Sequence, residues 1–317
     1  MVLENFNSQK FKKLIKSEWG LLAILLILSM IFSLLTDSFA SFNNMMNITR
    51  QVSIVLIISI GMLCVLLNGE IDLSVGSTAA LAGVGCAISL NATGSILFAI
   101  LTTLVISIIL GSINGLLTVY GKIPSFIVTL SSMWIFRGIA LVWTGGRSVS
   151  GLPRSFSFLG AGHIGIIPTS TILCTIFILI AYFYIHKTKH GVYIKSIGAN
   201  EEASKLSAIP IKKYKLITFI LAGVMSGIGG MITTSKLLSA QAIACEGMEM
   251  DVLAAVILGG ASLSGGVGTV IGTVLGALII GVINNGMNQL GISAFYQQIV
   301  KGLIIIIAVL IRRNKNK

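Results

Sequence analysis

Residues 65–77, Val65-Leu-Leu-Asn-Gly-Glu-Ile-Asp-Leu-Ser-Val-Gly-Ser77 (VLLNGEIDLSVGS), set two carboxylates, Glu70 and Asp72, between flanks that are almost wholly apolar. A carboxylate at the centre of a bilayer costs about 2.5–3.5 kcal/mol, so it normally faces a protein interior or a wet cavity. The stretch therefore has to be read together with what surrounds it. Of the 317 residues, 55% are hydrophobic and only 10% are charged, and the mean hydropathy is +0.98. Soluble domains carry about 25% charged residues. These values define a polytopic, all-α membrane protein.

Apolar windows predict ten spans, at 19–36, 50–67, 71–90, 95–119, 125–144, 170–186, 214–237, 251–264, 267–285 and 294–311, each near the roughly 20 residues that a helix needs to cross. Two are irregular. The 251–264 run is short and ends in glycines, and 71–90 opens on acids and contains Gly76, Gly83 and Gly85. Interrupted spans of this kind point to a transport site. The first run follows a basic segment, but Thr36-Asp37-Ser38-Phe39 is no small-residue cleavage site, so it is read as a span and not a signal peptide.

The net charge is +12, and its distribution gives the sidedness. Fifteen of the twenty-two cationic residues form three clusters: Lys10, Lys12, Lys13 and Lys16; Lys187, Lys189, Lys195, Lys205, Lys212, Lys213 and Lys215; and Arg312, Arg313, Lys315 and Lys317. The positive-inside rule puts all three in the cytoplasm, and an even number of spans, six of them before the central cluster, agrees. The expected organisation is one membrane permease domain over 1–317, with cytoplasmic tails at 1–18 and 312–317, an outward loop at 144–168 and a cytoplasmic loop at 187–215. Basic residues gathered beside apolar runs argue against nucleic-acid binding, which calls for a basic face on a folded domain.

Asp72 has two readings. It lines a hydrophilic pathway, or it caps a helix start together with Ser74. Other polar residues within spans are Asn114, Thr129, Arg137, Asn284, Asn285, Asn288 and Gln289. Amides and hydroxyls between membrane helices are often structural. Arg137 is the costliest to face lipid, and Asp72 and Asp251 are its conceivable partners. The pair Glu70-Ile-Asp72 recurs as Glu249-Met-Asp251 ahead of a second glycine-rich run, a pattern compatible with two related halves. Gly268, Gly272 and Gly276 recur every four residues, which suits close approach of two helices.

Catalysis finds little support. His163, His186 and His190 make no His-Glu-x-x-His pair, no Gly-x-Ser-x-Gly elbow occurs, and no G-x-x-x-x-G-K-[ST] phosphate loop is present. The four cysteines have neither disulfide nor zinc spacing, and no metal site is expected. In the central loop, Asn200 can cap a short helix with Glu201 and Glu202 in its first turn. Ala203, Leu206 and Ile209 form a small apolar stripe before Pro210. Such a helix either rests on headgroups or docks in a partner's groove; the acids at its start disfavour anionic lipid.

Four ordered blocks carry a resemblance: GEIDLSVGS; INGLLTVYGKIPSFIVTLSSMWIFRGIAL; SIGANEEASKLSAIPIKKYKL; and EGMEMDVLAAVILGGASLSGGVGTVIGTVLGALIIGVINNGM. Together they resemble the bacterial sugar ABC-importer permeases of the ribose-permease family, over essentially the whole chain. Branched-chain amino-acid permeases share the glycine-rich pattern, with less similarity in the first and last blocks. Glu70 stands where the family signature has glycine, Met250 where leucine is common and Val252 where alanine is. The resemblance implies a bacterial cell-membrane protein and a division of labour. Two permease subunits form the pathway, an extracellular binding protein delivers sugar, and separate cytoplasmic ATPase subunits hold ATP and Mg, so this chain binds no cofactor. It also implies that Asn200–Ile209 is the segment that docks on the ATPase. Expected pathway residues are Asp72, Ser74, Asn114, Thr129, Asn284 and Asn285. Importing another small solute (a quorum signal, nucleoside or amino acid) and acting as a self-sufficient secondary carrier are the competing functions.

Overall fold

The computed structural model describes residues 18–313; Lys10, Lys12, Lys13, Lys16, Lys315 and Lys317 lie outside them. Eight described helices are long and apolar enough to cross a membrane: α1 (Glu18–Leu35), α2 (Phe42–Leu67), α3 (Val75–Thr93), α4 (Ile96–Val119), α5 (Ser125–Thr144), α7 (Thr169–Lys187), α10 (Ile211–Leu237) and α12 (Val270–Gln289). A further helix, α13 (Ala294–Arg313), has its apolar part at Ala294–Ile307. Between α10 and α12 lies α11 (Met248–Leu258), of 11 residues. At 1.5 Å per residue it is about 16 Å long, half of a bilayer core.

The boundaries follow local chemistry. Ser41 starts α2 by accepting the Asn44 N–H at 3.3 Å, eight residues ahead of the predicted 50–67. Asn44, an unpromising residue for a span, is buried and spends its amide on Phe39 O and Asn285 Oδ1. The predicted 71–90 shifts to 75–93 because 68–74 is not helical. The 251–264 window becomes α11 followed by a loop over 259–269. Thr269 caps α12 by accepting the Gly272 N–H at 2.9 Å.

The most buried helices are α2 and α3, and α10 packs against α2, α3 and α4. Around them α1 lies on α12, α5 on α3 and α13 on α11. The outer faces of α1, α4 and α5 expose Leu26, Met30, Leu97, Leu101, Val105, Trp134 and Val142, as a surface bathed in lipid tails allows. Gly272 and Gly276 sit on the α12 face that meets α11: a Cβ there would strike Gly259 O and Ala255 O respectively. Gly268 lies outside that helix, against Leu63, so the expected three-glycine helix face is a two-glycine face.

Two small assemblies close the ends. At one, a 3₁₀ turn (Arg154–Ser157) and α6 (Phe158–Ala161) cover the end of α10, and a hairpin of β1 (His163–Ile164) and β2 (Ile167–Pro168) rests on α2 and α7. Ser235 Oγ donates to Phe156 O at 2.5 Å and accepts the Gly160 N–H at 2.9 Å. At the other, lysine-rich end, α8 (Lys189–Ala199) and α9 (Glu201–Leu206) connect α7 to α10.

Candidate functional site

The loop 68–74 is built by its own polar side chains. Asp72 Oδ1 accepts the Ser74 N–H at 2.9 Å and the Ser74 Oγ–H at 2.6 Å, the side-chain-to-backbone turn that aspartate makes two residues ahead. Asn114 Nδ2, from α4, donates to Ser74 Oγ at 2.8 Å. From α5, Ser125 Oγ accepts the Ile71 N–H at 3.2 Å and Thr129 Oγ1 donates to Ile71 O at 3.2 Å. Four expected pathway residues, Asp72, Ser74, Asn114 and Thr129, thus meet in one network. It is sealed: Asp72 is 2% exposed and the other three are equally buried. No lysine or arginine pairs with Asp72 among the described residues. Buried polar groups of a membrane protein must find partners inside the protein, and here the loop, α4 and α5 supply them together.

Asn284 and Asn285 belong to a different group, toward the far end of α12. Asn285 exchanges amide hydrogen bonds with Asn44 at 2.9 and 3.0 Å, and Gln289 joins at 3.0 Å. Asn284 Nδ2 lies 3.5 Å from Asp251 Oδ2, and Lys301 Nζ is 2.8 Å from the same carboxylate. Between the two groups stands Glu249. Its Oε1 accepts the Gly247 N–H at 3.2 Å, and its Oε2 is packed against Gly76, in the first turn of α3. The two Glu-x-Asp motifs therefore do not occupy equivalent places: one lies in a loop at the lysine-rich end, the other in the first turn of a half-length helix. Buried oxygens without a hydrogen-bond partner among the described residues include Asn114 Oδ1, Glu249 Oε2 and Asn284 Oδ1. Arg137 pairs with neither aspartate. Its Nη1 donates to Ala242 O at 2.6 Å and Ala244 O at 2.7 Å, in the non-helical segment ahead of α11.

At the lysine-rich end, Asn200 Oδ1 accepts the Ala203 N–H at 2.9 Å and caps α9, with Glu201 and Glu202 in its first turn. Ala203 is exposed and Leu206 is 90% exposed, whereas Ile209 is half-buried and packs on the core. The outward apolar stripe is therefore Ala203 and Leu206. The joint between α8 and α9 rests on both irregular loops. Gly198 lies so near Leu67 O and Gly266 N that any side chain would collide, while the Gly266 N–H donates to Leu67 O at 2.9 Å. Lys215, in the second turn of α10, reaches Glu70 at 2.7 Å and Glu201 at 2.8 Å. The paired lysine is invisible in sequence, since 145 residues separate it from Glu70.

Interrupted helices around buried polar loops, seated on a short helix pair at the lysine-rich end, are the architecture of a membrane transport site. Residues 44–309 match the family described as branched-chain amino acid transport system / permease component, and the chain belongs to that family. It is similar to the ribose import permease protein RbsC of Escherichia coli K12 (40% identical over 298 residues, 93% of each chain). It is also similar to RbsC of Bacillus subtilis (44% over 302 residues, 92% of this chain and 91% of that one). The L-arabinose transport system permease protein AraH of Escherichia coli K12 is 36% identical over 300 residues, 95% of this chain and 92% of its own. No solved structure matches the chain.

Proposed function

We propose that this chain is the membrane-spanning permease subunit of an ATP-binding-cassette importer for a ribose-like monosaccharide. The full-length likeness to proteins named ribose import permeases supports the solute class, and is higher than that to an arabinose permease. The observation that carries the mechanism is the seat of α8–α9 on both loops, with Leu206 left bare. In this reading the lysine-rich end is cytoplasmic, as the positive-inside rule requires. The stripe of Ala203 and Leu206 docks on a separate ATPase subunit, which holds ATP and Mg. A second permease subunit completes the pathway, and an extracellular binding protein loads it. Asp72, Ser74, Asn114, Thr129, Asn284 and Asn285 line the route only after the helices rock apart. ATP and loaded receptor drive that step by binding one access state more tightly than the other.

Co-expression with the ATPase and binding protein, followed by uptake over a small sugar panel, tests the reading. Ala203→Arg combined with Leu206→Asp is expected to abolish co-purification of the ATPase while membrane insertion persists. Unchanged co-purification removes the docking assignment. Robust gradient-driven uptake by the isolated chain makes it a secondary carrier. Uptake of a nucleoside, amino acid or quorum signal in preference to every sugar reassigns the solute.

A further inference from the structure

We propose that Glu70, Lys215 and Glu201 form an ionic clamp that makes α9 and the Asp72 loop move together, so that Glu70 and Lys215 act as positioning residues for coupling. The proposal rests on the reading of the chain as an ATP-driven permease and adds a component to it. One ammonium is shared by two carboxylates on separate elements: Glu70 in the loop two residues before Asp72, and Glu201 at the first position of α9. Their environments differ. The Lys215 and Glu70 side chains are 14% and 16% exposed, whereas that of Glu201 is 57% exposed. The inner arm is thus shielded from salt and the outer arm is screened.

Removing Lys215 would leave Glu70 as a partly buried carboxylate without a counter-charge, facing a second carboxylate across the gap it left. The loop would still be held to α10, because Asn68 Nδ2 donates to Thr218 Oγ1 at 2.8 Å, three residues along from Lys215. The joint would keep its Gly198 seat against Leu67 and Gly266. Loss of the clamp therefore frees α9 from the loop without unfolding either.

The test uses the co-purified complex of permease, ATPase and binding protein in proteoliposomes, with ribose as the probe. It compares wild type with Glu70→Gln, Lys215→Met and Lys215→Arg. The ATPase should co-purify with all of them. ATP hydrolysed per ribose imported is expected to rise about fivefold or more in Lys215→Met and in Glu70→Gln, the low end of coupling between distant sites. Lys215→Arg, which keeps the charge and its reach, should stay near wild type. A ratio unchanged in Lys215→Met overturns the clamp; if that variant does not insert, an unchanged ratio in the near-isosteric Glu70→Gln does so. A wild-type complex with no ATP-dependent ribose uptake overturns the functional reading and the clamp with it. That failure shows before any variant is compared.

Discussion

Asp72 illustrates how one residue's chemistry decides between two roles. A carboxylate that accepts both the Ser74 amide and the Ser74 hydroxyl has one oxygen engaged in shaping the chain. Asparagine keeps an oxygen at the same place, and leucine does not. Asp72→Asn is therefore expected to retain fold and transport, whereas Asp72→Leu leaves the Ser74 N–H buried without its acceptor, at a cost of about 1–3 kcal/mol. Denaturation midpoints in mild detergent, read beside uptake, check this. If Asp72→Asn abolishes uptake with an unchanged midpoint, the negative charge itself is needed. The two sequence readings of Asp72 were open because spacing cannot tell a side chain that turns back on its own backbone from one that faces a cavity.

Among the elements, the contact of α11 with α12 depends on two positions without a side chain. A Cβ at Gly276 would strike Ala255 O and lie 2.8 Å from Gly259 N, whereas one at Gly138 on α5 has nothing within 4 Å. The same added methyl should thus have opposite effects. Gly276→Ala is expected to destabilise by about 1–3 kcal/mol through overpacking. Gly138→Ala should be neutral or slightly stabilising, because alanine is the better helix former by about 1 kcal/mol. Thermal midpoints of the two variants decide, and equal midpoints refute the close packing. The four-residue glycine period announced a packed face in the sequence. That Gly268 is excluded from it was not legible, because the four-residue period runs unbroken across Thr269, where the helix starts. The start of α2 was missed for the converse reason: Asn43, Asn44 and Asn47 resemble a loop until Asn285, far along the chain, is brought opposite Asn44.

For the whole molecule, hydropathy and lysine placement were sufficient to give an all-helical, multi-pass chain, and the eight long helices agree. Composition has that power because lipid allows few backbone solutions. It is silent on side-chain pairing across the bundle, which is why Lys215, Lys301 and Asn44 carried no signal. Sidedness is directly measurable. Cys64, Cys86 and Cys174 are buried and Cys245 is partly so, which leaves a low background for thiol labelling. Lys205→Cys, on exposed α9, should react with a membrane-impermeant maleimide only in inside-out vesicles, and Ser155→Cys, in the covering loop, only in intact cells. The reverse pattern would invert the protein and end the docking assignment.

Because the segment between α10 and α11 is not helical, the carbonyls of Ala242 and Ala244 lie outside any helical turn. Arg137 takes the place of one. Its guanidinium solvates two oxygens that hydrocarbon cannot, and in return those oxygens provide a neutral nest for a cation that would otherwise have to be dragged through oil. Helix α5 is thereby tethered to an unwound strand of a distant part of the chain, and neither can drift sideways without stranding a charge.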